Sequence, residues 1–167
     1  VKSHTYRALR RSRLKEMYIV RYADDFKIFC PNKETAQKAY TAVKLWLKDR
    51  LKLDISPEKS KIVNLKQHYS EFLGFKLKVK KKRGKYVVSS FMSDKAKQMA
   101  KDKISTCVKA IKQPPNQREQ YKAIQQYNSA VAGLHNYYKF ATNVSLDFAD
   151  IAFAVKAQMN SRLKENT

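Results

Sequence analysis

Two short apolar runs, Tyr18 to Tyr22 and Phe26 to Cys30, flank the adjacent acids Asp24 and Asp25. Runs of that length and composition predict two buried strands joined by a tight turn. Pro31 and Asn32 end the second strand, and Asn32 caps a helix with Ala36, Ala39, Tyr40, Val43, Leu47 and Leu51 on one face and Trp46 beside that stripe. The segment Leu51–Ile55 predicts a short strand, Ser56 and Pro57 a turn or cap, and Lys61–Leu65 a further strand. Between 71 and 90 a second hairpin is expected. Its strands are Phe72–Val79 and Lys85–Ser90, with Gly84 supplying positive φ in the turn. Alternation of Lys76, Lys78 and Lys80 with Phe75, Leu77 and Val79 gives that hairpin one basic and one buried face.

The period changes after Phe91. Ser93 caps a helix carrying Met99, Ile104, Cys107, Val108 and Ile111, and Pro114 and Pro115 break it. Asn116 starts a second helix with Ile124, Tyr127, Val131, Leu134 and Tyr138, running to about Phe140. A third starts at Ser145, its expected apolar stripe being Leu146, Ala149, Ala152, Phe153 and Leu163. The chain therefore divides into an α/β module over residues 1–92 and a three-helix bundle over 93–167, α+β as a whole.

Charge narrows the partner class. With 36 Lys and Arg against 14 Asp and Glu, the formal net charge is +22 in 167 residues. An excess that large repels itself unless a polyanion is the usual partner, which favours nucleic acid over a solubilising surface or an anionic membrane. No window approaches a membrane span, the basic N-terminal segment lacks a signal-peptide apolar block, and a cytoplasmic setting is expected. Cys30 and Cys107 read as core fillers, and His4, His68 and His135 are too scattered in sequence to suggest a metal cluster. The start at Val1 suggests a piece of something longer.

Against this positive background the acid pair stands out. Adjacent carboxylates at a bend raise each other's proton affinity unless a cation lies between them. Mg²⁺ suits such a site, because it prefers carboxylate oxygen and is completed by water and substrate phosphates. Phosphoryl transfer is the chemistry this implies. An exposed acidic turn is the plainer reading of the same residues.

The sequence Tyr22, Ala23, Asp24, Asp25 in a hairpin resembles the C motif of reverse transcriptases, and the segments after it follow that family's order. Leu53 to Val63 resembles the next palm motif, and Phe72, Leu73, Gly74 and Phe75 the primer grip. Arg21 and the segment YNSAVAGLHNYYKFAT resemble the group II intron branch with its thumb, or maturase, domain. The resemblance implies a partial polymerase palm, antiparallel strands with a packed helix, followed by a three-helix thumb.

It further implies Asp24 as the principal metal ligand and Asp25 as its neighbour, with two Mg²⁺ ions about 4 Å apart activating a primer 3′-hydroxyl and stabilising pyrophosphate. Lys59 would serve as a charge stabiliser or proton donor near the triphosphate, or is simply a solvated lysine. Tyr22 and Ala23 would lie near primer terminus and nucleotide, and Phe72, Leu73 and Gly74 along the primer strand, with Gly74 alternatively marking a bulge. Lys78, Lys80, Lys81, Lys82, Arg83 and Lys85 form the densest basic cluster, suited to phosphates. Lys95, Lys97, Lys101, Lys103 and Lys109 would track a duplex or intron RNA. Gly133 would allow close helix approach, Asn136 and Tyr137 would face RNA, and Tyr138 would pack. The implied partners are RNA template, intron RNA, DNA primer and dNTPs.

A complete member also needs an Asp on an earlier palm strand, a nucleotide-binding segment and basic fingers. Upstream of the hairpin the sole acid in the sequence is Glu16. The chain alone is therefore expected to bind nucleic acid without polymerising, with the fingers and earlier palm of a parent protein restoring synthesis. A noncatalytic RNA-binding maturase module is the alternative, and a retron or defence enzyme a third.

Overall fold

The computed structural model describes residues 17–163, with side chains through residue 160. The basic N-terminal segment, His4 and Glu16 lie outside the described residues, as does the side chain of Leu163. Strands β1 (Tyr18–Tyr22) and β2 (Asp25–Phe29) form an antiparallel ribbon, followed by helix α1 (Lys33–Leu51). A three-stranded antiparallel sheet follows, in the order β3 (Ser70–Phe72), β4 (Phe75–Lys82) and β5 (Lys85–Met92). Helices α2 (Asp94–Lys112), α3 (Gln117–Tyr138) and α4 (Val144–Leu163) complete an α+β chain.

The described residues form two compact units, which divide between Asn64 and Leu65. The change from sheet to helix falls at Met92 and Ser93. The second unit nevertheless holds β3, β4 and β5 together with the three later helices.

In the first unit α1 begins where Asn32 takes an extended conformation and its side chain accepts from the Thr35 amide at 2.8 Å. Lys52 ends it in the left-handed region. Ala36, Ala39, Tyr40, Val43 and Leu47 are half-buried, whereas Leu51 and Trp46 are exposed. The hairpin strands expected to be buried are not: every residue of β1 is exposed, Ile19 at 67%. One helix beside a two-stranded ribbon cannot cover both its faces. Nor are the expected segments Leu51–Ile55 and Lys61–Leu65 strands, although the Val79 amide donates to the Leu65 carbonyl at 2.8 Å. Past Leu51, the last residue of α1, they run as irregular chain around a turn in which the Ser60 amide donates to the Ser56 carbonyl at 2.9 Å. No strand pairs with them among the described residues.

The second unit has a continuous core. Met92, Ile104, Val108, Ile151 and Val155 are buried together with Ala100, Ala130 and Tyr138. Ser93 caps α2 by accepting from the Ala96 amide at 3.2 Å, and Asn116 caps α3 by accepting from the Glu119 amide at 2.9 Å. The loop between α3 and α4 is tied to β5. Ser90 N donates to Thr142 Oγ1 at 2.8 Å, Thr142 N returns a bond to Ser90 Oγ at 2.8 Å, and Asn143 Nδ2 donates to Ser89 Oγ at 2.8 Å.

Four helical assignments differ from the sequence pattern, the first being Ile124, 40% exposed on α3. Met99 is 62% exposed, and Gly133 meets nothing within 4 Å where a Cβ would stand, so it serves no close helix approach. The stripe assigned to α4 is out of phase: Leu146, Ala149, Ala152 and Phe153 face outward, while Phe148, Ile151, Val155 and Met159 pack on the core. Asp147 explains the rotation. Almost fully buried, it accepts from the Met92 amide at 2.7 Å and lies 3.2 Å from Lys97 Nζ. A polar residue thus holds a core position that a hydrophobic pattern cannot assign.

Candidate active site and nucleic-acid interface

In the first unit Ala23 and Asp24 form the two-residue bend between β1 and β2, with Tyr22 paired to Asp25 across it. Ala23 has φ 52°, a region that costs an L-residue with a Cβ about 1 kcal/mol or more. Its carbonyl accepts from Arg21 Nε at 2.7 Å, a bond that holds the bend. Asp24 and Asp25 are exposed, and neither carboxylate has a hydrogen-bond or ion-pair partner among the described residues. Two adjacent, unpartnered carboxylates suit a hard divalent cation completed by water and phosphate oxygen. They do not make a closed cage: no group of three or more His, Cys, Asp or Glu suited to a metal occurs among the described residues. Tyr22 is exposed beside the acids, and Lys59 sits exposed in the turn after α1. Cys30 is half-buried, and burial pushes its thiol up.

In the second unit the sequence Phe72, Leu73, Gly74, Phe75 is itself a hairpin turn, neither a continuous strand nor a bulge. Phe72 pairs with Phe75, and Leu73 and Gly74 both have positive φ, 50° and 76°. Two-residue turns of type I′ require that sign at both positions and prefer Asn or Gly first, so Leu73 is strained there. The C-terminal end of α3 holds it. Tyr137 Oη donates to the Leu73 carbonyl at 3.0 Å, and its ring stacks on Phe75 with centroids 5.6 Å apart. Tyr138 lies 5.0 Å from the Phe75 ring, and a Cβ on Gly74 would come within 2.7 Å of its hydroxyl. Burial, then the neighbouring Tyr137, pushes the Tyr138 phenol up.

The two motifs therefore share a local device: a non-glycine residue at positive φ whose carbonyl accepts from a side chain, Arg21 for Ala23 and Tyr137 for Leu73. Hydropathy carries no record of φ, so the pattern of apolar positions misses this device; the signal available was a non-turn residue, Ala or Leu, at a hairpin bend.

The basic positions separate into exposed ones and ones bound to carboxylates. Lys80, Lys81, Lys82, Arg83 and Lys85 are exposed around a turn whose Arg83 and Gly84 have φ 50° and 77°. Lys95 is exposed at the start of α2, Lys101 half-buried further along it, and Asn136 exposed on α3. Lys97 is engaged inside the protein, its ammonium 3.2 Å from Asp147, 3.6 Å from Asp150 and 3.9 Å from Asp94. Burial alone would lower its pKa, but the bond to Asp147 and the three carboxylates outweigh it and raise it. Lys76 binds Asp94 at 2.6 Å, and that bond holds the Asp94 carboxyl below its ordinary range.

Among the described residues no helix is long and apolar enough to cross a membrane. No curated protein matches the chain. The acidic hairpin, α1 and the Leu73–Gly74 turn nonetheless fall within one recognised span: residues 3–77, a little under half of the chain, match the family described as reverse transcriptase (RNA-dependent DNA polymerase).

Proposed function

We propose that this chain is the C-terminal palm and thumb of a group II intron reverse transcriptase and maturase, residues 1–92 belonging to the palm and 93–167 to the thumb. The observation that supports the reverse transcriptase part of this reading is the family match over residues 3–77, which spans a hairpin bend whose Asp24 and Asp25 have no partner among the described residues; the intron and maturase part rests on the resemblance of Arg21 and the segment 127–142. Asp24 and Asp25 would hold Mg²⁺, which would supply charge to lower the pKa of the primer hydroxyl and to neutralise the phosphates. The residues around the acids do the positioning. Arg21 fixes the bend, Tyr22 supports the primer terminus and incoming dNTP, and Lys59 offers a positive charge toward the triphosphate.

In the second unit the Phe72, Leu73, Gly74 turn guides the primer strand, and Lys78 to Lys85 with Lys95, Lys101 and Asn136 carry template and intron RNA through phosphate and 2′-hydroxyl contacts. Lys97, spent on carboxylates, drops out of that set, and Tyr137 acts first on the Leu73 carbonyl.

With Glu16 the sole acid in the sequence before Asp24, the chain by itself binds nucleic acid without extending a primer. Binding of Mn²⁺ in place of Mg²⁺, followed by electron paramagnetic resonance, tests the acid pair. Mn²⁺ bound by the chain with an RNA–DNA primer duplex and lost in Asp24→Asn supports the enzyme reading. Tight RNA binding with no metal uptake would favour the noncatalytic maturase module instead. Primer extension by the purified chain would contradict the expected inactivity.

A further inference from the structure

The rotation of α4 that buries Asp147 leaves Leu146 and Phe153 on the surface, 66% and 80% exposed. They do not stand alone. Together with Tyr69 and Phe91 they line a shallow surface cavity of about 520 Å³ that is largely open to solvent. Tyr69 and Phe91 meet edge to face with ring centroids 6.3 Å apart. Basic side chains of β4 lie over these two rings: Lys78 Nζ is 5.0 Å and Lys76 Nζ 5.5 Å from the Tyr69 centroid, and Lys80 Nζ 5.3 Å from that of Phe91, which leaves Phe153 as the open aromatic face.

The charges decide which part of a ligand enters. Asp147 and Asp150 line the cavity with Lys97 already bound to both, and Lys76 is committed to Asp94, so a phosphate placed there would face two carboxylates with no cation to spare. A flat, uncharged ring meets no such penalty and finds the exposed Phe153 ring to stack on. Lys78 and Lys80 form no ion pair among the described residues, and their ammonium groups remain available to anions outside the cavity. A neutral ring carried on an anionic backbone matches both halves.

We propose that this cavity receives an unpaired base of single-stranded nucleic acid, stacked on Phe153 with the Tyr69–Phe91 pair as the wall beside it, while Lys78 and Lys80 hold the flanking phosphates. A base within a duplex is covered on both faces and cannot insert, so the site discriminates by strandedness. This deepens the nucleic-acid reading of the second unit and rests on it: the basic hairpin supplies general affinity, and the cavity selects strands with free bases.

The full chain is titrated by fluorescence anisotropy against a labelled oligoadenylate, the same strand with abasic positions, and a blunt RNA duplex. Phe153 is exposed, so Phe153→Ala should leave the fold intact, which circular dichroism checks. Phe153→Ala and Tyr69→Leu are each expected to weaken the oligoadenylate about fivefold or more, leaving the duplex and the abasic strand unchanged, and Phe153→Trp is expected to restore binding. Equal weakening of all three ligands, or no change with oligoadenylate, overturns the cavity while the nucleic-acid reading stands. Failure of the unaltered chain to bind any of them at low salt overturns both.

Discussion

The Tyr138 hydroxyl occupies the space a side chain on Gly74 would need, 2.7 Å from where its Cβ would stand. Gly74 therefore answers two demands at once, the positive φ of a tight turn and the close approach of a buried phenol. Gly74→Ala is expected to destabilise the second unit by about 2 kcal/mol, from backbone strain and displacement of Tyr138. In a Tyr138→Phe background the nearest ring atom lies 3.6 Å away, an ordinary contact, so the same substitution should cost about 1 kcal/mol less. Urea unfolding of the four proteins in this cycle measures the coupling. Additive effects would mean that strain alone explains the glycine.

The carbonyls of Ala23 and Leu73 present a second relationship open to test. Both residues hold unfavourable φ, and each is pinned by one side-chain donor. Ala23→Gly should relieve about 1 kcal/mol of local strain and make Arg21 dispensable for the bend. Tyr137→Phe should loosen the Leu73–Gly74 turn while leaving the stacking on Phe75. Hydrogen exchange of the bend amides reads both effects: faster exchange at the turn after Tyr137→Phe, unaccompanied by a change at the core of α2, is the expected result.

Asp147 joins a strand to two helices, through the Met92 amide and Lys97. Asp147→Ala leaves a buried amide without its acceptor and a largely buried ammonium without its nearest partner. A loss of about 3 kcal/mol is expected, with Asp147→Asn losing less because an acceptor remains.

Titration separates the charges around that cluster. The folded pKa of Lys97 is raised above its ordinary 10.5, so its contribution is complete below that pH and is lost as pH rises through the folded value. The folded pKa of Asp94 is lowered below 3.8, so its contribution is present above that pH and is lost as pH falls through the folded value. Asp94 is mostly exposed, and its share should stay under about 1 kcal/mol and shrink with salt. Denaturation midpoints of Lys97→Met and Asp94→Asn against pH should flatten the alkaline and the acid limb respectively.

The basic turn between β4 and β5 should govern salt dependence. Each of Lys81, Lys82 and Lys85 that contacts a phosphate contributes about 0.7 to 0.9 to the slope of log affinity against log salt. Neutralising two of them to Gln should reduce the slope by about 1.5 without changing preference among sequences. An unchanged slope would place the RNA on another face.

Helix starts were legible from the residues themselves. Asn32, Ser93 and Asn116 each accept from the amide three positions on, because a short polar side chain in extended backbone can do little else at that boundary. The acidic bend and the basic turn were legible for the same local reason. What escaped was decided by tertiary partners. Leu51–Ile55 and Lys61–Leu65 have strand composition and no strand paired with them among the described residues, and Asp147 takes a core position through a bond to an amide far away in sequence. The turn at Leu73 escaped because its strain is held by Tyr137, 64 residues later.

The bond from the Met92 amide to Asp147 closes a loop of 55 residues. Local helix formation can proceed before that closure, but the sheet end is satisfied only when the last helix arrives. On a ribosome this makes completion of the second unit a late event, waiting on α4. Fragments ending before α4 should remain protease-sensitive throughout β5, however well α2 and α3 form.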